Sequence, residues 1–138
     1  MRTLLRNKRT FYYCLYKGEE IVRDAEGYES GEKILTYDEA VEMKANISPA
    51  TGNAQIEQFG SFVSYDKVIV TDDLSVLIDE NSVLFVDKEP EYKEVVIGTD
   101  EDTGEDIIVN VPLYDYIVKR VAKSLNSVSI AISKVDIS

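Results

Sequence analysis

The stretch DEDTGED gathers Asp100, Asp102 and Asp106 around Gly104, and carboxylates at alternate positions in a tight loop are the chemistry of a calcium site. The spacing departs from an EF-hand loop. A loop starting at Asp100 would put Glu105 where the sharp turn needs glycine and Val111 where a bidentate glutamate should close the shell. The segments on either side are also strand-like rather than helical. The expected reading is therefore a solvated hairpin tip whose charges discourage edge-to-edge association, with calcium binding as the alternative.

Other chemistry finds less support. Histidine is absent from the chain, which removes the commonest general base and metal ligand. Asp72 and Asp73 form a carboxylate pair, but adjacent residues of an extended chain point to opposite faces and do not converge on one substrate atom. Cys14 is the only cysteine, so no disulfide can form within the chain. It lies in an aromatic segment with no cation before Lys17, which predicts a buried, unreactive thiol. Glycine-rich phosphate cradles and nucleotide fingerprints are absent. No enzyme, no cofactor and no metal is expected.

The elements that would position such residues read as strands. FYYCLY (11–16) is aromatic and β-prone, and EEIVRDAEGYESGEKILTY reads as a hairpin or a ragged excursion around Gly27 and Gly31. VEMKANIS (41–48) alternates cleanly, Val41, Met43, Ala45 and Ile47 against Glu42, Lys44, Asn46 and Ser48. Pro49 ends it, and a long connection follows over 49–62. YDKVIVTDD and SVLIDENSVLFVD are short apolar runs, and VLFV reads as a strand buried on both faces. EVVI and DIIVNV flank the acidic tip as a protruding hairpin over 94–111. The last segment is ambiguous. Ile117, Val118, Val121, Ala122 and Leu125 have helical spacing, whereas YIVKRVAKS and VSIAISKV are β-branched and joined by three turn-like residues. A hairpin is favoured because every other segment is β; a short helix over 116–125 is the alternative.

The expected fold is thus all-β and mainly antiparallel, a small barrel or sandwich in a single domain spanning 1–138. The net charge is −11, and the four cations Arg2, Arg6, Lys8 and Arg9 in the first nine residues leave −15 on the remainder. Such a body repels phosphate backbones, which argues against sequence-specific DNA binding. The basic arm 1–9 is either a solvated terminus or a contact to an acidic partner. No apolar run approaches the roughly 18 residues of a membrane span, and charge interrupts the N-terminus before a signal core could form, so a soluble chain made in a reducing cytoplasm is expected. Among nine tyrosines, Tyr12, Tyr13, Tyr16, Tyr114 and Tyr116 could anchor an interface or serve in ordinary strand packing.

The order of segments carries one further signal. The arm MRTLLRNKRTFYYCLYKG, the strand and loop KANISPATGNAQIEQFG, then YDKVIVTDD, IDENSVLFVD and the closing DYIVKRVAKSLNSVSIAISKV together resemble the head-tail joining proteins, also called head-closure or stopper proteins, of tailed bacteriophages and prophages of Gram-positive bacteria. The resemblance covers most of the chain. It implies a β-barrel subunit of a homo-oligomeric ring in the virion neck, made in the bacterial host cytoplasm, which binds the portal or adaptor protein above and a tail protein below. DNA would be passing cargo. It further implies that the long loop, carrying Thr51, Asn53, Gln55, Gln58 and Phe59, projects toward the channel and helps close it, while Arg2, Arg6, Lys8 and Arg9 contact a partner. The alternatives are a tail terminator or tube subunit, and an acidic β-domain with a cytoplasmic partner.

Overall fold

A computed structural model describes residues 8–24, 26–49 and 65–135. Ten strands occupy them: β1 (Lys8–Cys14), β2 (Tyr16–Arg23), β3 (Glu29–Tyr37), β4 (Val41–Pro49), β5 (Lys67–Thr71), β6 (Val83–Phe85), β7 (Tyr92–Thr99), β8 (Asp106–Pro112), β9 (Tyr116–Lys123) and β10 (Val128–Lys134). Six of them close a barrel in the order β1-β4-β5-β10-β9-β6, every pairing antiparallel. The other four form two hairpins, β2-β3 and β7-β8, inserted between β1 and β4 and between β6 and β9. No helix occurs among the described residues, so the short-helix alternative over 116–125 gives way to the β9-β10 hairpin.

The barrel interior collects one residue in two from each strand, as the pleat dictates. Phe11, Ala45, Ile69, Leu84, Val118, Val128, Ile130 and Ile132 are all buried there, with Met43 and Ile47 packed against them. The alternation of 41–48 therefore holds for Met43, Ala45 and Ile47, whereas Val41, at the start of β4, is exposed. Val76 and Ile78, from the connection after β5, also join the interior. Leu74 and Leu77, on the same connection, are exposed.

Two further clusters lie on the outside of the barrel wall. Cys14, Val83 and Phe85 are buried there with Tyr37, Ala40, Tyr114 and Ile117 around them. Thus β6 is covered on both faces, Leu84 by the interior and Val83 and Phe85 by the hairpin bases, as the continuous apolar run VLFV predicts. The second cluster places Val68 and Ala131 beside Tyr65, Val70 and Ala122 on the outer face of β5, β9 and β10.

These outer clusters explain the helical look of β9. Its register against β10 skips Lys119, with Ala131 opposite Arg120 and Ile132 opposite Val118. The bulge keeps Val118 and Val121 on the interior side at a spacing of three, while Ile117 and Ala122 serve the outer clusters. Apolar residues in adjacent pairs three apart imitate a helix stripe. The turn is closed by Ser124 N–H donating to the Ser127 carbonyl at 2.9 Å, and Leu125, its tip, is 87% exposed.

Asp115 splices β6 to β9 where backbone pairing runs out. Its N–H donates to the Leu84 carbonyl, and its carboxylate accepts the Val86 and Asp87 N–H groups at 2.9 Å each. The side chain thereby continues the ladder for two residues beyond Phe85. A carboxylate only 7% exposed is tolerated because its oxygens are satisfied by backbone donors.

Candidate functional site

Residues 50–64 connect β4 to β5, and these strands are neighbours in the barrel, paired Asn46↔Val70 through Pro49↔Lys67. The connection therefore leaves and re-enters the wall at one point, at the barrel end that holds Arg9, Lys67, Asp87 and Tyr116. Thr51, Asn53, Gln55, Gln58 and Phe59 fall within it, outside the described residues. Arg2 and Arg6, near the N-terminus, also lie outside the described residues.

Lys8 and Arg9 are described, and they are not part of a free arm: β1 already begins at Lys8, opposite Asn46. The last two residues of the expected arm 1–9 therefore belong to the barrel wall. The Arg9 guanidinium lies 3.1 Å from the Asp87 carboxylate and also reaches the Val86 carbonyl, although Arg9 was expected to face a partner. Asp87 additionally accepts the Tyr116 hydroxyl at 3.0 Å and sits 3.7 Å from Lys67 Nζ. Lys67 in turn lies 5.5 Å from the centre of the Tyr116 ring. Partial burial works to raise the Asp87 pKa, but Arg9, the Tyr116 hydroxyl and Lys67 together outweigh it and hold the carboxyl below its usual range. The cluster clamps the start of β1, the start of β5 and the start of β9 to the segment after β6.

The same contacts act on Tyr116. Burial, then the Asp87 hydrogen bond and charge, push its phenol up to about 12. Burial also pushes the Cys14 thiol up to about 11, partly offset by Tyr92. A group whose proton is held more tightly in the folded state contributes its full stability below its unfolded pKa and loses it as pH rises toward the folded value. From the unperturbed values of 9.0 and 10.0, stability should therefore decline from about pH 9 upward. Cys14→Ala is expected to flatten the portion between 9 and 11, and Tyr116→Phe the portion above 10. Melting temperature followed across pH 8 to 12 reads both, and identical slopes in all three proteins would contradict the assignment.

The hairpins create the second feature. Strand β2 packs on β7 and β3 on β8, and the Tyr92 hydroxyl accepts the Ala40 N–H at 3.2 Å, tying one hairpin base to the other. Between the bases and the barrel wall opens a cleft of about 580 Å³. Tyr12, Tyr37 and Tyr92 give it aromatic walls, and Glu20, Asp38 and Glu39 line it against the single cation Lys17. Tyr92 rests edge-on against Phe85 with ring centres 6.2 Å apart, so its position is set by the buried cluster beneath. The Tyr12 phenol is raised by burial and then by Glu89 and Glu42, which shows how negative the surroundings are.

Of the tyrosines singled out in the sequence, only Tyr12 belongs to this cleft. Tyr13 packs against the interior, Tyr116 is buried in it, and Tyr16, Tyr37 and Tyr114 form an edge-to-face run with centres 5.9 and 6.4 Å apart. Tyr37 and Tyr92 were missed, and their signal was an aromatic at the base of each hairpin, one directly before an acidic pair.

At the far end of the β7-β8 hairpin the acidic tip is a turn held by its own backbone. Asp100 N–H donates to the Glu105 carbonyl and Gly104 N–H to the Asp100 carbonyl, both at 2.8 Å. The Asp100 carboxylate accepts the Asp102 N–H, and Gly104 adopts φ +73°, which favours glycine. No group of three or more acidic or cysteine side chains converges as a metal site among the described residues. Asp73 likewise is engaged locally: its carboxylate accepts the Ser75 N–H at 3.0 Å and the Ser75 hydroxyl, which hold its pKa low. No described helix is long and apolar enough to cross a membrane.

Against known proteins, no family model, no curated protein and no solved structure matches this chain.

Proposed function

We propose that the chain is a structural subunit of a tailed-phage particle, assembling with copies of itself into a ring at the neck that joins the portal or adaptor to the tail and closes the DNA channel. The observation that carries this reading is a closed barrel in which residues 50–64 join two paired, adjacent strands, β4 and β5, at the end from which the β7-β8 hairpin also leaves the wall. A rigid wall with long insertions at its rim is what a subunit needs if it is to hold its place in a ring while a loop reaches the channel. The resemblance of KANISPATGNAQIEQFG and of the closing hairpin to joining proteins supplies the rest of the case. An acidic body suits a conduit for DNA, because a basic wall would hold the phosphates. The role is structural rather than catalytic.

Immunogold labelling of intact particles, viewed by electron microscopy, tests this directly. Label is expected at the neck, between head and tail. Label along or at the tip of the tail would replace the joining role with that of a tail terminator or tube subunit, and particles without label would leave a domain acting in the cytoplasm. Deleting residues 1–7, which spares β1 and the Arg9–Asp87 pair, is expected to reduce head-tail joining at least tenfold with the melting temperature unchanged; undiminished joining would remove the arm from the assembly contacts.

A further inference from the structure

We propose that the cleft between the two hairpin bases receives the basic N-terminal segment of a neighbouring copy of this chain. The inference rests on the reading above only in taking the chain to assemble with itself.

Two properties of the cleft select the occupant. Its walls are the rings of Tyr12, Tyr37 and Tyr92, and flat aromatic faces beside carboxylates receive guanidinium groups by cation-π contact and by paired hydrogen bonds. Its rim, Glu20, Asp38 and Glu39 against one lysine, is anionic. The complementary piece of this chain is MRTLLRN, residues 1–7, with Arg2 and Arg6 on either side of two leucines and no acidic residue, in a protein whose remainder is strongly acidic. Seven extended residues span about 23 to 25 Å, enough to cross from one subunit into the next. Geometry favours a neighbour over the same molecule. Lys8 lies at the end of β1 away from the cleft, and at Tyr12 itself β1 is paired on both edges, to Glu42 of β4 and to Phe85 of β6, so its own leader would have to reverse direction at Lys8 and could not pair alongside Tyr12. A contact of this kind is heterologous, the arm of one copy in the cleft of the next, and heterologous contacts are those that close into rings. It also gives acidic protomers a specific attraction against their mutual repulsion.

The test uses the full-length chain at a concentration where sedimentation shows monomers, titrated with a fluorescein-labelled peptide of residues 1–10 and followed by anisotropy at low salt. Saturable binding is expected. Glu20→Gln, Asp38→Asn and Glu39→Gln combined should weaken it about tenfold, as three modest ion pairs would. Asp100→Asn, Glu101→Gln and Asp102→Asn, which remove the same charge at the far hairpin tip, should leave it within twofold. Equal weakening by both sets would reduce the effect to bulk charge and overturn the proposal, as would absence of saturable binding. A full-length chain carrying Arg2→Glu and Arg6→Glu should bind the peptide as the unaltered chain does; tighter binding would assign the cleft to the chain's own arm. Failure here with gold at the neck would remove this contact alone, whereas binding here without gold would remove the neck assignment.

Discussion

Asp115→Ala is expected to lower the unfolding free energy by about 2 to 5 kcal/mol, because it strands one buried and one part-buried backbone N–H group, at about 1 to 3 kcal/mol each. Val86 and Asp87 are those donors, both bonded to the carboxylate at 2.9 Å. The damage should extend beyond stability. With the splice gone, the segment after Phe85 loses its tie to β9, and Asp87 leaves the reach of Arg9 and Tyr116, which bond it at 3.1 and 3.0 Å. Asp115→Asn keeps one acceptor and turns an NH₂ toward the second donor, so it should fall between the two. Urea unfolding followed by far-ultraviolet circular dichroism measures all three; a loss under about 1 kcal/mol for the alanine variant would show that the ladder does not depend on this side chain.

Phe85→Ala should cost about 3 to 5 kcal/mol, the usual price of emptying a packed aromatic site. Phe85 is fully buried on the outer wall, where it joins barrel to hairpins through Cys14 and the Tyr92 ring. Phe85→Leu refills most of the volume and should lose much less, about 1.5 kcal/mol or below. The pair of variants separates cavity formation from loss of the aromatic contact: if leucine costs as much as alanine, the edge-on geometry rather than the filled volume supports the hairpins.

Much of this fold was legible because its strands are half-buried in the ordinary way. Residues 41–48 alternate, and the structure reproduces the alternation from Met43 onward, with Val41 exposed; VLFV is continuous because β6 is roofed by the hairpin bases. What the residues concealed has a physical origin. The bulge at Lys119 changes the interior spacing of β9 from two to three, so the last segment could pass for a helix until its pairing with β10 was known. The end of the basic arm was misplaced because nothing local in Lys8-Arg9 says that a carboxylate 78 residues away will capture the guanidinium. The hairpin cleft was out of reach for the same reason, since Tyr12, Tyr37 and Tyr92 come together only when two insertions distant in sequence pack side by side. Thr51 to Phe59 and Arg2 and Arg6 lie outside the described residues, so their roles rest on the proposals above.

The narrowness of β6 also bears on the order in which the molecule is made. The hairpins β2-β3, β7-β8 and β9-β10 join residues close in sequence, and such contacts form in microseconds. Barrel closure instead waits on a seam of three residues on one side and two on the other, Tyr12 to Cys14 against Val83 to Phe85, and Val83 and Leu84 against Ile117 and Tyr116. Bringing residue 12 to residue 85 spends the entropy of a long loop for few hydrogen bonds, so it belongs to the slow end of folding. The nascent chain therefore displays its hairpins before it owns a barrel. Phe85 and Cys14 stay exposed through that interval, and a high concentration of identical chains is where that exposure would favour association over closure.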